Sequence, residues 1–247
     1  IIMTPTESFV SHLIELRNRL IKIVVGMLLV FLGLFPFANK VYALLAAPML
    51  DKLPEGTQMI ATAVVTPFFV PMKVAIMAAF VIALPHTLYQ LWMFVAPGLY
   101  AHEKKMMLPA IAISSLLFLC GMAFAYFLVF PVVFAFIVGS APEGVAVMTD
   151  IAEYLDFVMT LFLAFGFAFE VPIAVVLMAH FGWVTVTQLK EARSYVIVGA
   201  FILAAIFTPP DIISQFMLAI PLWMLYEAGI LFVQVAQRKQ NSIKAGT

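Results

Sequence analysis

The chain has 247 residues, of which 65% are hydrophobic and 11% are charged, and its formal net charge is zero. Soluble domains carry charge on about a quarter of their residues, so this composition identifies an integral membrane protein. A neutral chain lacks the basic surface that a phosphate backbone requires, which excludes nucleic acid as a partner. A single cysteine, Cys120, excludes an internal disulfide and a cysteine-based metal cage.

Six apolar runs approach the length of about 20 helical residues that crosses a bilayer. We predict six transmembrane helices, at residues 21–37, 68–94, 106–138, 155–181, 194–207 and 212–236. The third run is longer than a membrane requires, and the fifth is too short. The predicted fold is an all-α integral membrane protein, with residues 1–247 as one polytopic membrane domain.

The lysines and arginines predict the orientation of these spans. With a cytoplasmic N-terminus, ten of the thirteen basic residues flank the cytoplasmic side. These ten are Arg17, Arg19, Lys22, Lys104, Lys105, Lys190, Arg193, Arg238, Lys239 and Lys244. Both termini are therefore predicted to be cytoplasmic. On the outer side, Asp150 and Glu153 have the spacing of a helix N-cap box, which predicts that a short helix begins there.

Motifs of common catalytic sites are missing from the sequence. His102-Glu103 resembles the start of a zinc-protease motif, but Met106 stands where the second histidine would lie. We find neither a Gly-x-Ser-x-Gly elbow nor a glycine-rich phosphate loop, and no two glycines lie four residues apart. The sequence therefore offers no zinc site and no loop that would hydrolyse ATP, and we expect no cofactor or metal ion.

The segment before the first span has the pattern of an amphipathic N-terminal helix. One face carries Leu13, Leu16 and Leu20, and another carries His12, Glu15 and Arg19. This pattern is typical of an interfacial anchor, in which Glu15 and Arg19 form an i,i+4 ion pair. The alternative is that the polar face serves binding.

The charged hinge at residues 94–105 offers a second acidic group. Pro97-Gly98 predicts a turn, after which Glu103 precedes the third span. Glu15 and Glu103 are the only acids near the cytoplasmic ends of the first three spans, so a cationic ligand would be attracted there. A purely structural role for Glu103, at a helix N-terminus, is also open.

Glu170 lies in the middle of the fourth span, two residues before Pro172. A central charge costs about 3 kcal/mol, and the proline frees a backbone carbonyl, so we predict a kink beside a polar recess. The alternative is a protonated glutamate that is hydrogen-bonded inside the bundle.

Four separated motifs resemble the TatC family, the multi-spanning subunits of the twin-arginine protein translocase. They are His-Leu-x-Glu-Leu-Arg-x-Arg-Leu at 12–20, the hinge at 94–105, Phe-x-Phe-Glu-Val-Pro at 167–172, and Thr-Pro-Pro-Asp at 208–211. The resemblance covers nearly the whole chain. It implies a receptor, not an enzyme, that binds twin-arginine signal peptides of folded proteins. This receptor assembles with itself and with the single-span subunits TatA and TatB, and transport uses the proton-motive force.

The resemblance also implies a location in the bacterial inner membrane and roles for particular residues. Signal-peptide binding falls on Glu15, Glu103, Arg17, Leu20, Phe94 and Pro97. Glu170 matches a glutamate on the family's concave intramembrane face, Pro48 and Asp211 match sensitive outer positions, and the fifth span matches a docking site for TatB. The alternatives are a small-solute secondary transporter coupled to protons through Glu170, which lacks visible duplicated halves, and an intramembrane hydrolase, which lacks a nucleophile with a base.

Overall fold

The computed structural model describes residues 5–50, 59–95, 107–139, 148–207 and 212–245, and these residues are almost entirely helical. The chain forms two compact units. One contains residues 1–46 and 61–115, and the other contains residues 47–60 and 116–247.

The first unit is built around a long N-terminal helix, α1 (Pro5–Leu34). A 3-10 turn at Phe35–Phe37 leads into α2 (Ala38–Leu50), and a bent pair follows, α3 (Thr66–Ile82) and α4 (Leu84–Val95). The bend between α3 and α4 measures 53°. Pro85 accounts for it, because proline donates no backbone hydrogen bond and its ring displaces the preceding helical turn.

α1 packs against both α3 and α4. A glycine allows the close approach to α4, because a Cβ atom on Gly26 would lie 2.8 Å from the His86 ring. The His86 ring in turn lies with Nε2 3.2 Å from the carbonyl oxygen of Lys22. His86 thus connects α1 and α4.

The second unit contains the end of α2, the part of α5 from residue 116 onward, and the helices that follow. After α5 (Met107–Phe124), a π-helical segment (Ala125–Val129) continues into α6 (Phe130–Gly139). The other helices are α7 (Ile151–His180), α8 (Val186–Glu191), α9 (Arg193–Phe207) and α10 (Ile212–Ala245). α10 packs against both α7 and α9, and these contacts hold the helices of the second unit together.

Two predictions about helix ends are corrected by the structure. Asp150 does cap a helix, since its Oδ1 accepts from the backbone N–H groups of Ala152 at 2.7 Å and Glu153 at 3.3 Å. The helix is not short, however, because α7 continues for 30 residues as the predicted fourth span. The amphipathic segment is likewise not a separate helix, since no proline or glycine interrupts α1 between it and the first span.

Four helical stretches among the described residues are long and apolar enough to cross a membrane. They are Val10–Ala47, Met107–Gly139, Ile151–His180 and Gln215–Arg238. The bent pair of α3 and α4 is a fifth candidate, and α9 is a shorter apolar helix. Each of these falls on one of the six predicted spans.

The shortness of α9 predicts a local thinning of the bilayer. Its 15 residues extend about 22 Å, against about 30 Å of hydrocarbon. Spin labels at Phe207 and Ile212, which flank the junction to α10, should therefore report a wet and shallow environment. A dry environment at full membrane depth would contradict this prediction.

Candidate functional site

A polar cluster lies at the start of α1, where the sequence predicted an ion pair. Nη2 of Arg19 donates to Oε1 of Glu15 at 3.2 Å. The Arg19 side chain is 18% exposed and that of Glu15 is 31% exposed. The predicted i,i+4 pair is thus present, and its acidic partner is the more accessible one.

Two contacts tie this cluster to α4. Nη1 of Arg19 donates to Oε1 of Gln90 at 3.1 Å, and Gln90 is buried. One turn beyond, the rings of His12 and Phe94 stack with centroids 4.2 Å apart. The start of α1 is therefore fixed against the end of α4, immediately before the segment at 96–106.

Gln90 is a residue that sequence reasoning missed. The signal was available, because Gln90 is a polar side chain inside a predicted apolar span and such residues need a partner. The sequence predicted the pairing of Arg19 with Glu15 but not its contact with α4, and it placed His12 only on the polar face of a helix. In the structure Arg19 bridges two helices, and it thereby positions the Glu15 carboxylate.

Arg17 and Leu20, the other predicted site residues on α1, lie on an exposed face. Arg17 is exposed and its Nη2 donates to Oδ1 of Asn18 at 3.3 Å. Leu20 is also exposed, and it belongs to an apolar stripe that continues along α1. Arg17 borders this stripe, which consists of Leu13, Leu16, Leu20, Ile21, Val24 and Val25.

For four of the predicted site residues the structure does not describe the side chain. Glu103, Pro97 and Asp211 lie outside the described residues. Pro48 belongs to α2, and its side chain is also outside the description. The structure therefore places Glu15 and the His12–Phe94 ring pair on the side of α1 that packs against α4, apart from the face with Arg17 and Leu20, and it leaves the pairing of Glu15 with Glu103 as a prediction.

Glu170 belongs to the second unit, in α7. Its side chain is partly buried, and its Oε1 atom is buried. α7 continues as a helix through Pro172, which is itself buried. Gly229 of α10 lies against this proline, because a Cβ atom there would be 3.1 Å from the Pro172 Cα. α7 and α10 therefore cross closely near Glu170, where Pro172 meets Gly229.

A second arginine–glutamate pair differs clearly from the first. Nη2 of Arg193 lies 2.6 Å from Oε2 of Glu227, and the pair connects α9 to α10. Beside it, the buried hydroxyl of Tyr226 donates to the carbonyl oxygen of Leu189 at 2.8 Å. A contact this short between charged groups is a strong one. We interpret this pair as a structural clamp.

The fold and the cluster define a multi-pass, all-helical membrane protein with a partly exposed carboxylate near the start of its first span. The family model for "Sec-independent protein translocase protein (TatC)" matches residues 11–221. The chain therefore belongs to the TatC family. Among the described residues, no group of three His, Cys, Asp or Glu side chains could hold a metal ion.

Relatives from several bacteria carry the same family name. The chain is 51% identical to the TatC of Azotobacter chroococcum over 238 residues, which cover 96% of this chain and 93% of the relative. It is 50% identical to the TatC of Escherichia coli K12, over 92% and 88% of the two chains. A crystal structure of the twin-arginine translocase receptor TatC in DDM superposes with a TM-score of 0.80 at 38% identity, covering 90% and 98%.

These comparisons confirm the resemblance and the all-α membrane fold. The protein is a component of the Sec-independent protein translocase and is not an enzyme. The alternative of a small-solute secondary transporter finds no support in the comparisons, since the relatives carry the name of a protein translocase.

Proposed function

We propose that this chain is the receptor subunit that binds twin-arginine signal peptides of folded precursors and, with TatA and TatB, moves the precursors across the membrane using the proton-motive force. It acts as one membrane domain of six spans in the bacterial inner membrane, with both termini in the cytoplasm, and it associates with further copies of itself. Ten of thirteen basic residues on one side support this orientation.

The observation that carries the proposal is the loosely held carboxylate of Glu15. Its contact with Arg19 measures 3.2 Å, against 2.6 Å in the Arg193–Glu227 clamp. Charge-assisted bonds between nitrogen and oxygen are usually about 2.7 to 2.9 Å long, so the Glu15 pair is the weaker of the two. An incoming guanidinium can therefore share or replace this contact, while Gln90 keeps Arg19 in place.

α1 carries an acidic group and an exposed apolar stripe, which are the two kinds of group that a signal peptide would contact. A signal peptide has a basic segment followed by an apolar segment. On α1, an exposed apolar stripe runs from Leu13 to Val25 toward the middle of the span, on a face other than that of Glu15. We propose that Arg17, Leu20, Phe94 and Pro97 belong to this surface, and that Glu103 supplies a second carboxylate.

The proposal is tested by the choice between arginine and lysine in the ligand. Guanidinium offers a planar fork that bonds a carboxylate at two points, whereas ammonium is a compact point charge. Purified protein should bind a synthetic signal peptide with paired arginines more tightly than its paired-lysine counterpart. Equal binding of the two peptides would show that Glu15 does not read the guanidinium.

Glu170 is proposed to face a recess open to lipid or to TatA or TatB, with its Oε1 atom inside the protein. Glu170→Gln keeps hydrogen bonding and removes only the charge, so it should impair transport far less than Glu170→Ala. The measurement is export of a folded reporter with a twin-arginine signal. Complete loss in both variants would favour an obligatory proton step at this side chain.

The remaining residue roles that the family resemblance implies are also proposals. Pro48 and Asp211 are proposed as functionally sensitive positions on the outer side. α9 is proposed as the docking site of TatB, and the apolar exposed side chains Ile202, Leu203 and Ile206 support it.

A further inference from the structure

The guanidinium group of Arg19 is divided between two helices. Its Nη1 donates to Oε1 of Gln90 on α4, and its Nη2 donates to Oε1 of Glu15 on α1. A guanidinium bonds a carboxylate most strongly when two parallel N–H groups meet the two carboxylate oxygens. Because Gln90 engages one of the two terminal nitrogens, the contact between Arg19 and Glu15 is made by one nitrogen and one oxygen.

Gln90 can hold Arg19 when Glu15 is engaged elsewhere. The amide is buried, and α4 is fixed to α1 by a second, separate contact, the stacked rings of His12 and Phe94. The position of Gln90 therefore does not depend on the ion pair. This matters because the Arg19 side chain is only 18% exposed, and a largely buried guanidinium without a partner would be costly.

Glu15 is the partner that can change its contact. Its side chain is 31% exposed, so a group that arrives from the water can reach the carboxylate. A guanidinium from outside is not held by Gln90, and it can present two nitrogens to the carboxylate. Exchange of Arg19 for such a group replaces a one-point contact with a two-point contact, while Arg19 stays bonded to Gln90.

We propose that Arg19 is an internal competitor of the signal peptide's arginine for Glu15, and that Gln90 keeps this competitor weak. The inference rests on the proposed function, since it requires Glu15 to bind the peptide. While Arg19 holds Glu15, the carboxylate is not free for the ligand, so the apparent Kd rises by the factor that this occupied state contributes. For a partly exposed ion pair that factor is about two to six.

Arg19→Gln tests the competition directly. The variant removes the competing charge, so the Kd of a fluorescent peptide with paired arginines, measured on the purified full chain in nanodiscs, should fall about two- to sixfold. The matched control is Lys22→Gln, which also removes one positive charge from α1. Lys22 is exposed and its charge is screened by salt, so the Kd should change little. An unchanged or raised Kd in Arg19→Gln would overturn the proposal.

Gln90→Met tests the second part, because methionine has a similar length and no strong acceptor. Without the amide, both terminal nitrogens of Arg19 can turn toward Glu15, and the Kd of the peptide should rise about twofold or more. In the Arg19→Gln background the same substitution should leave the Kd unchanged. An equal rise in both backgrounds would show that Gln90 acts only through helix packing, which would overturn its assigned role. Thermal unfolding checks that each variant is folded.

A peptide with paired lysines separates this inference from the proposed function. Competition by Arg19 multiplies the Kd of both peptides by the same factor, so the ratio of the two Kd values should be the same in Arg19→Gln and in the unmodified protein. Equal binding of both peptides to the unmodified protein would contradict the proposed function. A preserved preference for arginine, with no fall of the Kd in Arg19→Gln, would contradict the competition alone.

Discussion

Glu15→Lys and Glu103→Lys should each abolish capture of a twin-arginine signal peptide. Each charge pair at a partly solvated interface is worth about 1 to 4 kcal/mol. Reversal replaces attraction by repulsion, so a change on the order of 2 to 4 kcal/mol raises the Kd about 30- to 900-fold. In Glu15→Lys the new ammonium also faces Arg19, whose Nη2 contacts the Glu15 carboxylate at 3.2 Å in the unmodified protein.

Binding of a fluorescent signal peptide to each purified variant measures this effect. Asp156→Lys is a suitable control. Asp156 is an exposed acid, and the predicted orientation places it on the outer side of the membrane, opposite to Glu15. Insertion into the membrane and association with TatB should persist in all three variants. If both Glu15→Lys and Glu103→Lys bound the peptide normally, the arginines would have to be recognised elsewhere.

Gly121→Ala should destabilise the second unit by about 1 to 3 kcal/mol, and Gly121→Leu should do so more severely. A Cβ atom at Gly121 would overlap the carbonyl oxygen of Phe165 and lie 2.9 Å from its carbonyl carbon. Both are backbone atoms, so no side-chain rotation can relieve the overlap. The crossing of α5 and α7 would have to open, and the neighbouring ring contacts of Phe124 with Phe165 and Phe169 would be lost with it.

Thermal unfolding of the purified variants in detergent tests this prediction. Gly33→Ala provides the comparison, because Gly33 lies inside α1 with open space around its Cβ position. Alanine there should leave the Tm unchanged or raise it, since alanine is the better helix former. A Tm for Gly121→Ala equal to that of Gly33→Ala would mean that the helices do not cross closely at this point.

The spans and the helix start at Asp150 could be predicted because they depend on local sequence. Hydrocarbon excludes charge, so hydropathy alone locates the long helices. The Asp150 cap needs only neighbouring N–H groups. The length of the helix behind that cap was misjudged, because polar Glu153 and Asp156 in its first turns resembled a separate short segment outside the membrane.

The contacts that join helices could not be predicted in the same way. Arg19 meets Gln90 across 71 residues of sequence, and His12 meets Phe94 across the same helix pair. At the close crossing of α5 and α7, a single glycine, Gly121, lies against the backbone of Phe165. A search for paired glycines in the sequence therefore could not detect this crossing. Such contacts depend on how helices pack, which periodicity within one helix does not reveal.

The central claim is that paired arginines of the signal are bound by Glu15 together with Glu103, and photocrosslinking from the peptide tests it most directly. A signal peptide with a photoreactive residue beside its arginines would be irradiated with the unmodified protein and with Glu15→Gln, and the labelled sites would be mapped by mass spectrometry. Labels on α1 around Glu15 and on residues 96–106, strongly reduced in Glu15→Gln, are the predicted result. Labels confined to α9 and α10, at the same level in both proteins, would contradict it.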